Sequence, residues 1–125
     1  MKYIVYCTTC DINNFIYVGV HATPNPEIFD GYLGCSVYVN RPNTYKHSKT
    51  KFQEAVNRFG VKHFHRAIIS VFDNEDDAYF LEADIVNKDF LMRSDVYNMA
   101  LGGKGGNYNL TAIPIYQYDS EGNFI

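Results

Sequence analysis

The sequence predicts an α+β fold whose elements follow the order strand, strand, helix, strand, helix. Two β-type runs rich in Tyr, Ile and Val open the chain, and a third separates two segments whose apolar residues recur at helical spacing. With 125 residues, 46% of them apolar, the chain is large enough to bury a core without disulfides or metal. Together these observations predict one folded domain over most of the sequence.

The first two strands are expected to form a hairpin between residues 2 and 21. Its connector contains Asp11, Asn13 and Asn14. Residues of this kind favour turns because their short side chains hydrogen-bond the nearby backbone. The strand-favouring runs on both sides of the connector therefore predict an antiparallel pair.

Two tyrosines and a glycine distinguish this hairpin. Tyr6 lies in the first strand and Tyr17 in the second, and Gly19 closes the second strand. A glycine in that place is typical of a bulge or of a close backbone approach. The three residues fit either a structural core or one half of an active site, and only the rest of the chain can decide between the two.

Residues 22–47 follow no regular period and are predicted to form a long loop. Three prolines and two glycines interrupt any helical pattern there, and the aromatic residues are irregularly spaced. A loop of this length in a compact domain is usually functional. We therefore expect this loop to face the substrate.

The first helix is predicted from Ser48 to Phe59, with Ser48 as its N-cap and Gly60 just beyond its end. Four apolar residues at helical spacing would form its buried stripe: Phe52, Ala55, Val56 and Phe59. A strand is then predicted from Phe64 to Phe72. Because its residues are apolar and β-branched, we expect this strand in the centre of the sheet.

The second helix is predicted from a cap at Asp73 or Asn74 to about Lys88. Acidic residues fill its first turn, where the helix dipole favours them. An apolar stripe follows at Ala78, Leu81, Ile85 and Val86. Glu82 lies beside this stripe. A glutamate in such a position is more often a partly exposed surface residue than a ligand, but it could hold one hard cation such as Mg²⁺.

A short segment from Asp95 to Asn98 leads into a glycine loop at 101–107. The loop is not a Walker P-loop, because Lys104 is followed by Gly105 instead of Ser or Thr. It could offer backbone N–H groups to a phosphate, and a flexible linker is the more common explanation. Asn98 by itself is typical of a turn or a cap.

Charge is distributed unevenly along a chain whose net charge is −3. Residues 41–66 include seven basic residues and one acid, a net charge of +6, so the remainder carries −9. Such segregation makes one face suited to phosphate contacts, and a solvated basic helix face is the alternative. No apolar run could cross a bilayer and no signal peptide precedes the first strand, which predicts a cytoplasmic protein of a bacterium or a phage-infected host.

The cysteines allow one other class of function. Cys7 and Cys10 form a C-x-x-C pair, a spacing used for zinc binding or thiol redox chemistry. A structural zinc would need Cys35 and a histidine such as His21 to complete four ligands. Buried, reduced thiols are the simpler interpretation, and a zinc or redox protein remains a rival hypothesis.

Six residues in this order resemble the signature of the GIY-YIG nuclease family: Tyr6, Tyr17, Gly19, His47, Glu82 and Asn98. The first half of the signature reads Ile4-Val5-Tyr6, so its glycine is replaced. The second half reads Tyr17-Val18-Gly19, with valine in place of the usual isoleucine. The two tyrosines lie eleven positions apart, the spacing expected of the family's hairpin.

Three further runs are similar to the phage-type homing endonucleases of that family: Gly19-Val20-His21, Asp30-Gly31-Tyr32-Leu33-Gly34, and Asp95-Val96-Tyr97-Asn98 before Leu101-Gly102-Gly103. The resemblance covers residues 3 to about 105. It implies a small three-stranded antiparallel sheet flanked by helices, with residues 1–107 as the N-terminal catalytic domain. Residues 108–125 would then be a linker and the start of a truncated DNA-binding repeat.

The resemblance also implies a metal-dependent DNA endonuclease with Mg²⁺ or Mn²⁺ as its cofactor. Tyr6 would be the general base that activates water, and Tyr17 would position the phosphate or the water. Glu82 would hold the metal ion, and Asn98 would complete the wall of the site. His47 would contact phosphate or relay a proton.

The family's arginine is where the sequence departs from the pattern, since no arginine occurs between Gly19 and Arg41. Arg41 is the candidate for its place, with His21 or Lys46 as substitutes, because a guanidinium can contact phosphate through two hydrogen bonds. The predicted partner is double-stranded DNA, with neither a membrane nor a small-molecule cofactor. The predicted DNA contacts are Gly19, His21, Lys46, Lys49, Lys51 and Lys104.

Two alternatives share this scaffold. The replaced glycine and the displaced arginine would suit a non-catalytic DNA-binding or interaction module. A repair-type nuclease would prefer damaged over intact duplex DNA. In every case we expect weak DNA binding by the chain, since its overall charge is acidic and only residues 41–66 supply a basic patch.

Overall fold

The computed structural model describes residues 1–47 and 49–103. Its strands are β1 Lys2–Cys10, β2 Ile16–Thr23, β3 Tyr32–Gly34, β4 Val37–Tyr38 and β5 Phe64–Phe72, and its helices are α1 Lys51–Phe59, α2 Glu75–Ile85 and α3 Lys88–Leu91. Short 3₁₀ turns occupy Pro42–Thr44 and Val61–His63. The linker and repeat predicted at 108–125 lie outside the described residues.

The main sheet is three-stranded and antiparallel, in the order β2-β1-β5, which confirms the predicted class and the alternation of strands and helices. The prediction that Phe64–Phe72 is central is wrong. Strand β1 is central and β5 lies at an edge, where Ile68, Ile69 and Val71 are 39%, 46% and 45% exposed. β-Branched residues indicate a strand, but they do not determine how many neighbours pair with it.

A hydrophobic cluster covers each face of the sheet, since successive side chains of a strand point to opposite faces. On one face, α1 and the β3–β4 hairpin enclose a cluster that contains Cys10, Leu33, Val37, Phe52, Val56 and Phe64. On the other face, α2 and α3 enclose Val5, Val18, Ala78, Val86 and Phe90. Both predicted helical stripes pack into these clusters, so the helix patterns are confirmed.

The two cysteines of the C-x-x-C pair belong to different clusters. Cys10 is buried on the α1 face, whereas Cys7 packs against the α2 cluster on the opposite face. Residues three apart on a strand point in opposite directions, so these thiols cannot share a zinc or a disulfide. All three cysteines are free. The zinc or redox hypothesis for this pair is therefore wrong, and no cluster of three potential metal ligands occurs in the part of the chain that the structure describes.

Residues 22–47 contain more regular structure than the sequence predicted. Strand β2 continues to Thr23, and β3 and β4 pair across a two-residue turn, Cys35–Ser36. These two residues have φ values of +48° and +65°, and paired left-handed conformations are typical of a two-residue hairpin turn. The turn escapes sequence reasoning because such positions usually carry Asn, Asp or Gly.

A buried hydrogen bond fastens this hairpin to the sheet. The Thr8 hydroxyl on β1 donates to the backbone carbonyl of Leu33 on β3 at 2.6 Å, and neither residue is exposed. The bond connects the central strand to the segment that carries Tyr32. The bond therefore helps to hold residues 22–47 against the sheet.

Helix α1 begins later than predicted. Thr50 caps it, with its side chain accepting the backbone N–H of Gln53 at 3.1 Å, and the predicted cap, Ser48, lies outside the described residues. Gly60 ends the helix with φ of +95°, as predicted for a residue in that position.

Helix α2 is capped by Asn74, which accepts the N–H of Asp77 at 2.9 Å and confirms one of the two predicted caps. The helix ends at Ile85 instead of near Lys88, because Asn87 caps a separate short helix, α3. None of the helices in residues 1–47 and 49–103 is long and apolar enough to span a membrane.

The segment after α3 adds to the outer edge of β2. Val96 forms a parallel bridge with Ile16. Ile16 donates its N–H to the carbonyl of Asp95 at 3.0 Å, and Tyr97 donates to the carbonyl of Ile16 at 2.8 Å. This pairing brings Asn98 alongside β2, close to the hairpin tyrosines in space although distant in sequence.

Replacing Thr8 with valine should lower the free energy of unfolding by about 1–3 kcal/mol, because the buried carbonyl of Leu33 loses its donor. Urea unfolding measures the change. Thr8→Ser, which keeps the hydroxyl, is the matched control and should lose less. Equal losses in the two variants would show that the hydrogen bond does not fasten the hairpin.

Candidate functional site

Five residues predicted from the sequence line one cavity of about 560 Å³: Tyr6, Tyr17, Gly19, Glu82 and Asn98. They come from β1, β2, α2 and the segment after α3, so only the folded chain brings them together. Other lining residues include Tyr32, Cys35, Thr50, Tyr79, Tyr97 and Gly103. We call this cavity the tyrosine pocket.

Two glycines make room for the phenols. Tyr6 pairs with Gly19 across the strands, and a Cβ at Gly19 would lie 2.6 Å from the Tyr6 hydroxyl oxygen. A Cβ at Gly34 would lie 2.7 Å from Cδ2 of Tyr17, and the φ of Gly34, +131°, is one that side-chain-bearing residues rarely adopt. The close approach expected at Gly19 is therefore made by the ring of Tyr6.

The two hairpin phenols are held in their neutral form. Tyr6 is 1% exposed, and burial raises its pKa well above the usual range. Burial also raises the pKa of Tyr17, and the neighbouring thiol of Cys35 raises it further. The general base predicted at Tyr6 requires its phenolate, and the described residues do not favour that form. A nearby positive charge would be required to reverse the effect of burial.

Glu82 is half-buried on the wall of the pocket formed by α2. Its Oε1 accepts the backbone N–H of Gly103 at 2.9 Å. Burial raises the pKa of its carboxyl, while the Gly103 N–H acts in the opposite direction. Gly102 donates to the carbonyl of Val86 at 2.8 Å, so the start of the glycine loop docks at the end of α2. Residues 104–107 of this loop lie outside the described residues.

Asn98 is 5% exposed and bonds both backbone groups of one β2 residue. Its Oδ1 accepts the N–H of Val18 at 2.9 Å, and its Nδ2 donates to the carbonyl of Val18 at 2.8 Å. The side chain thus continues the pairing at the edge of β2 and forms part of the pocket wall. Because both bonds run to a distant strand, Asn98 does not have the turn or capping role that is typical of an isolated asparagine, and its catalytic role stays a prediction.

Tyr32 lines the pocket together with Tyr6 and Tyr17, although the family resemblance did not assign it to the site. Its ring stacks on His21 with centroids 4.1 Å apart and meets the ring of Tyr6 edge-on at 6.1 Å. The run Asp30-Gly31-Tyr32-Leu33-Gly34 was the available signal, because it stands out in an otherwise irregular loop. Spacing alone could not show that this run folds back over the hairpin.

His21, predicted as a DNA contact, has an internal partner. Its Nε2 lies 2.6 Å from Oδ2 of Asp30, and its side chain is 13% exposed. Arg66, with its side chain 2% exposed, donates to Asp30 at 3.2 Å and to the carbonyl of Tyr32 at 3.0 Å. Although burial acts against it, hydrogen bonds from His21 and from the Tyr32 backbone hold the pKa of Asp30 below its usual range, and Arg66 adds to this effect.

The candidate arginine lies outside the pocket lining. The guanidinium of Arg41 sits 4.4 Å from the ring centroid of Tyr38, and that ring meets the ring of Tyr32 at 5.0 Å. Arg41 is therefore separated from the pocket by two aromatic rings. Lys46 and His47 are exposed in the same stretch and do not line the pocket either.

Two of the predicted DNA-contacting lysines flank the pocket rim. Lys49 and Lys51 are exposed on either side of Thr50, which both lines the pocket and caps α1. Nζ of Lys51 lies 3.5 Å from the carbonyl of Val96. The N-terminus of α1, with its partial positive charge, thus borders the pocket. Lys104 lies outside the described residues.

The donor set of the pocket fits a hard divalent cation. Glu82 offers a carboxylate, and within residues 1–47 and 49–103 no lysine or arginine forms an ion pair with it. Mg²⁺ is commonly held by one or two carboxylates together with waters and substrate phosphate. A cavity of about 560 Å³ has room for such a shell. Glu82 is the residue that would hold the ion.

The fold and the pocket define a small α+β domain whose aromatic cleft carries one carboxylate among its described lining residues. The chain is similar to endonucleases of Enterobacteria phage T4. It is 38% identical over 106 residues to "Putative endonuclease segB", covering 85% of this chain and 41% of that protein. It is 35% identical over 105 residues to "Putative endonuclease segD", covering 84% and 40%.

A further relative, "Endonuclease segA" of the same phage, is 30% identical over 101 residues, covering 81% of this chain and 39% of that protein. The chain therefore spans less than half the length of these curated relatives. No family model matches the chain. No solved structure matches it either.

Gly19→Ala should lower the free energy of unfolding by about 1–3 kcal/mol, because the new Cβ would overlap the Tyr6 hydroxyl. Adding Tyr6→Phe removes that oxygen and should recover part of the loss, which a double-mutant cycle in urea would measure. The single variant Tyr6→Phe completes the cycle and measures the contribution of the hydroxyl on its own. Additive losses in the cycle would show that the two residues are not packed as described.

Proposed function

We propose that the chain is the catalytic domain of a metal-dependent DNA endonuclease of the GIY-YIG type. The observation that carries the proposal is the tyrosine pocket, where Tyr6, Tyr17 and Glu82 meet from three separate elements. The phage relatives support it, since their names describe endonucleases. Its substrate would be double-stranded DNA met in the cytoplasm of an infected bacterium.

Cleavage of a phosphodiester bond requires a water to attack phosphorus, a base to accept its proton and the 3′ oxygen to leave. Tyr6, once a nearby cation favours its phenolate, would accept the proton of the attacking water, and Tyr17 would position the phosphate or the water. Glu82 would hold Mg²⁺ or Mn²⁺, which when bound would stabilise the charge on the leaving oxygen. Asn98 keeps this wall of the pocket in place through its two bonds to Val18.

The substrate would approach over the basic surface beside the pocket. Lys49 and Lys51 flank the rim, and the N-terminus of α1 lies between them. A helix N-terminus favours phosphate because its unpaired N–H groups point outward. Arg41, Lys46 and His47 lie outside the pocket lining and would contact more distant phosphates of the same duplex.

Glu82→Gln should abolish Mg²⁺-dependent nicking of supercoiled plasmid, because the amide cannot replace the carboxylate as a ligand. The fold should survive, since the Gln side chain can still accept the Gly103 N–H. Asp84→Asn, an exposed position on the same helix, is the matched control and should nick at the parental rate. Nicking that persists in Glu82→Gln would refute the assignment of the metal ligand.

Glu82 also determines how the rate of nicking depends on pH. Burial raises the pKa of Glu82, so the folded chain holds this proton at pH values where an exposed glutamate has lost it. Metal binding needs the carboxylate, so nicking should decline on acidification from a higher pH than an exposed ligand would give. The free energy of unfolding changes in the opposite direction. It falls as pH rises, because the Glu82 carboxyl then loses its proton and leaves an unfavourable buried charge. Glu82→Gln should therefore melt no lower than the parent at neutral pH.

Two outcomes would favour one of the alternative functions over the proposed one. DNA binding that falls with salt but is never followed by metal-dependent nicking would identify a non-catalytic module. Nicking that is faster on damaged than on intact duplexes would identify a repair-type nuclease. Two observations are the reason for testing the non-catalytic module: Tyr6 is buried, and Arg41 lies outside the pocket.

Replacing both Lys49 and Lys51 with alanine should weaken DNA binding equally across sequences. It should also reduce the slope of log affinity against log salt by about 2, because each lysine neutralises one phosphate. Fluorescence anisotropy at several salt concentrations measures both effects. Lys88→Ala, on α3 and outside the basic segment, is the control. An unchanged slope would exclude the rim of the pocket from the DNA contact.

A further inference from the structure

The described lining of the tyrosine pocket includes no lysine and no arginine. A phosphate bound there would therefore meet neutral hydrogen-bond donors, in addition to any cation that Glu82 holds. Tyrosine hydroxyls serve as such donors where enzymes stabilise a developing negative charge. Several of the described lining residues are tyrosines, and their other contacts differ.

Two polar residues of the lining are engaged by protein partners. Nδ2 of Asn13 donates to the Tyr97 hydroxyl at 3.2 Å, and Asn13 lies outside the pocket lining. The side-chain amide of Asn98 binds both backbone groups of Val18. Both side chains are therefore directed to other parts of the chain.

The Tyr32 hydroxyl, in contrast, has a proton to donate. Its oxygen accepts the backbone N–H of Ser36 at 3.2 Å, and across residues 1–47 and 49–103 the structure shows no bond in which this hydroxyl is the donor. A phenol has one proton and can accept at other positions, so the Ser36 bond leaves that proton available. Tyr32 and Ser36 both line the pocket, which places the hydroxyl at its wall.

The turn that supplies the Ser36 N–H is held by helix α1. Gln53 donates from Nε2 to the carbonyl of Cys35 at 3.0 Å. Cys35 and Ser36 have left-handed φ values, +48° and +65°, which persist only where the surroundings enforce them. The turn thus fixes one N–H against the oxygen of Tyr32.

The ring and backbone of Tyr32 are fixed as well. His21 stacks on the ring with centroids 4.1 Å apart, and Tyr38 meets it edge-on at 5.0 Å. Asp30 accepts the backbone N–H of Tyr32 at 3.1 Å, and Arg66 donates to its carbonyl at 3.0 Å. The hydroxyl therefore keeps one position relative to the pocket, as a preorganised donor must.

We propose that the Tyr32 hydroxyl donates a hydrogen bond to a non-bridging oxygen of the scissile phosphate in the tyrosine pocket. The inference rests on the proposed function and deepens it by assigning a further substrate contact. The phenol keeps its proton throughout the reaction. Its bond strengthens as the attacking water adds negative charge to the phosphate oxygens, so it stabilises the transition state more than the bound substrate.

Tyr32 must stay protonated to act as a donor, and its surroundings favour the phenol. Burial raises its pKa, although the Ser36 N–H acts in the opposite direction. Titratable or charged groups face it from each element packed around it: Tyr6 on β1, His21 on β2, Asp30 before β3, Cys35 in the turn, Tyr38 on β4 and Arg66 on β5. Because the pKa is raised overall, the neutral phenol is the form present at neutral pH.

NMR of the 125-residue chain tests the contact without relying on cleavage. Tyrosine labelled with ¹³C at Cζ reports on each hydroxyl, and the probe is a duplex oligonucleotide added with Ca²⁺ in place of Mg²⁺. Saturating DNA should shift the Cζ resonance of Tyr32. The resonance of Tyr3, whose side chain packs on the opposite face of the sheet, should stay in place. An unmoved Tyr32 resonance would overturn the proposal.

Mg²⁺-dependent nicking tests the contribution of the contact to the rate. Tyr32→Phe should nick about 10²-fold more slowly, the loss expected when one donor to a developing charge is removed. Tyr38→Phe is the matched control, because its ring packs on Tyr32 but lies outside the pocket lining. It should nick at the parental rate. Parental nicking by Tyr32→Phe would overturn the proposal.

The pH profile distinguishes a donor from a group that only packs. A donor works while it is protonated, so the rate should fall as the phenol ionises at alkaline pH. Incorporation of 3,5-difluorotyrosine at position 32, which makes the phenol more acidic, should move this fall to lower pH. The same analogue at Tyr3 should leave the profile unchanged. A rate that rises as the substituted phenol ionises would identify a proton acceptor and overturn the proposal.

Failure of the proposed function and failure of the Tyr32 contact give different results. If the parental protein binds the duplex but never nicks DNA, the endonuclease is excluded, and the Tyr32 resonance still decides whether the hydroxyl meets DNA. If the parent nicks and the profile of the difluorotyrosine chain is unmoved, the endonuclease stands. A slow Tyr32→Phe variant would then reflect a structural role of the hydroxyl, and the proposed contact would be wrong.

Discussion

The pairing of Tyr6 with Gly19 across the first two strands is the constraint on which the tyrosine pocket depends. Antiparallel register places the two residues opposite each other, and the absence of a side chain at Gly19 lets the Tyr6 ring lie over β2. A shift of one residue would turn Tyr6 to the α2 face, because side chains alternate along a strand. The hairpin therefore selects which face of the sheet carries the phenols.

Everything else in the pocket is attached to that face or to its edge. The β3–β4 hairpin is fastened to β1 through Thr8 and brings Tyr32 and Gly34 against the phenols. Asn98 is fastened to the edge of β2 through Val18, and Gly103 donates its backbone N–H to the carboxylate of Glu82. Each of these contacts uses a backbone group as one partner. The site is thus built by hydrogen bonds to main chain, which fix position without requiring a particular neighbouring side chain.

Several features of the site were predictable because they depend on local pattern. The hairpin residues Tyr6, Tyr17 and Gly19 follow from strand-favouring runs around a turn, and the Glu82 position follows from helical spacing beside an apolar stripe. What could not be predicted depends on neighbours far along the chain. The Cys35–Ser36 turn has no typical turn residues, and the edge position of β5 depends on which strand pairs with β1. The position of Arg41 outside the pocket depends on how residues 22–47 fold, because they place its guanidinium over the ring of Tyr38.

The sequence by itself determined the class of fold, the order of its main elements and the identity of five residues that meet in one pocket. The class of fold and the order of its elements are encoded in periodicity and in turn chemistry, which act over a few residues, whereas the five residues were grouped by their resemblance to a family signature. Only the tertiary structure decided that Tyr6 is fully buried and that His21 is paired with Asp30. It also decided that Tyr32 lines the pocket beside Tyr6 and Tyr17. The physical reason is that burial, and the pKa changes that follow from it, are properties of packing between distant segments and have no signature at any single position.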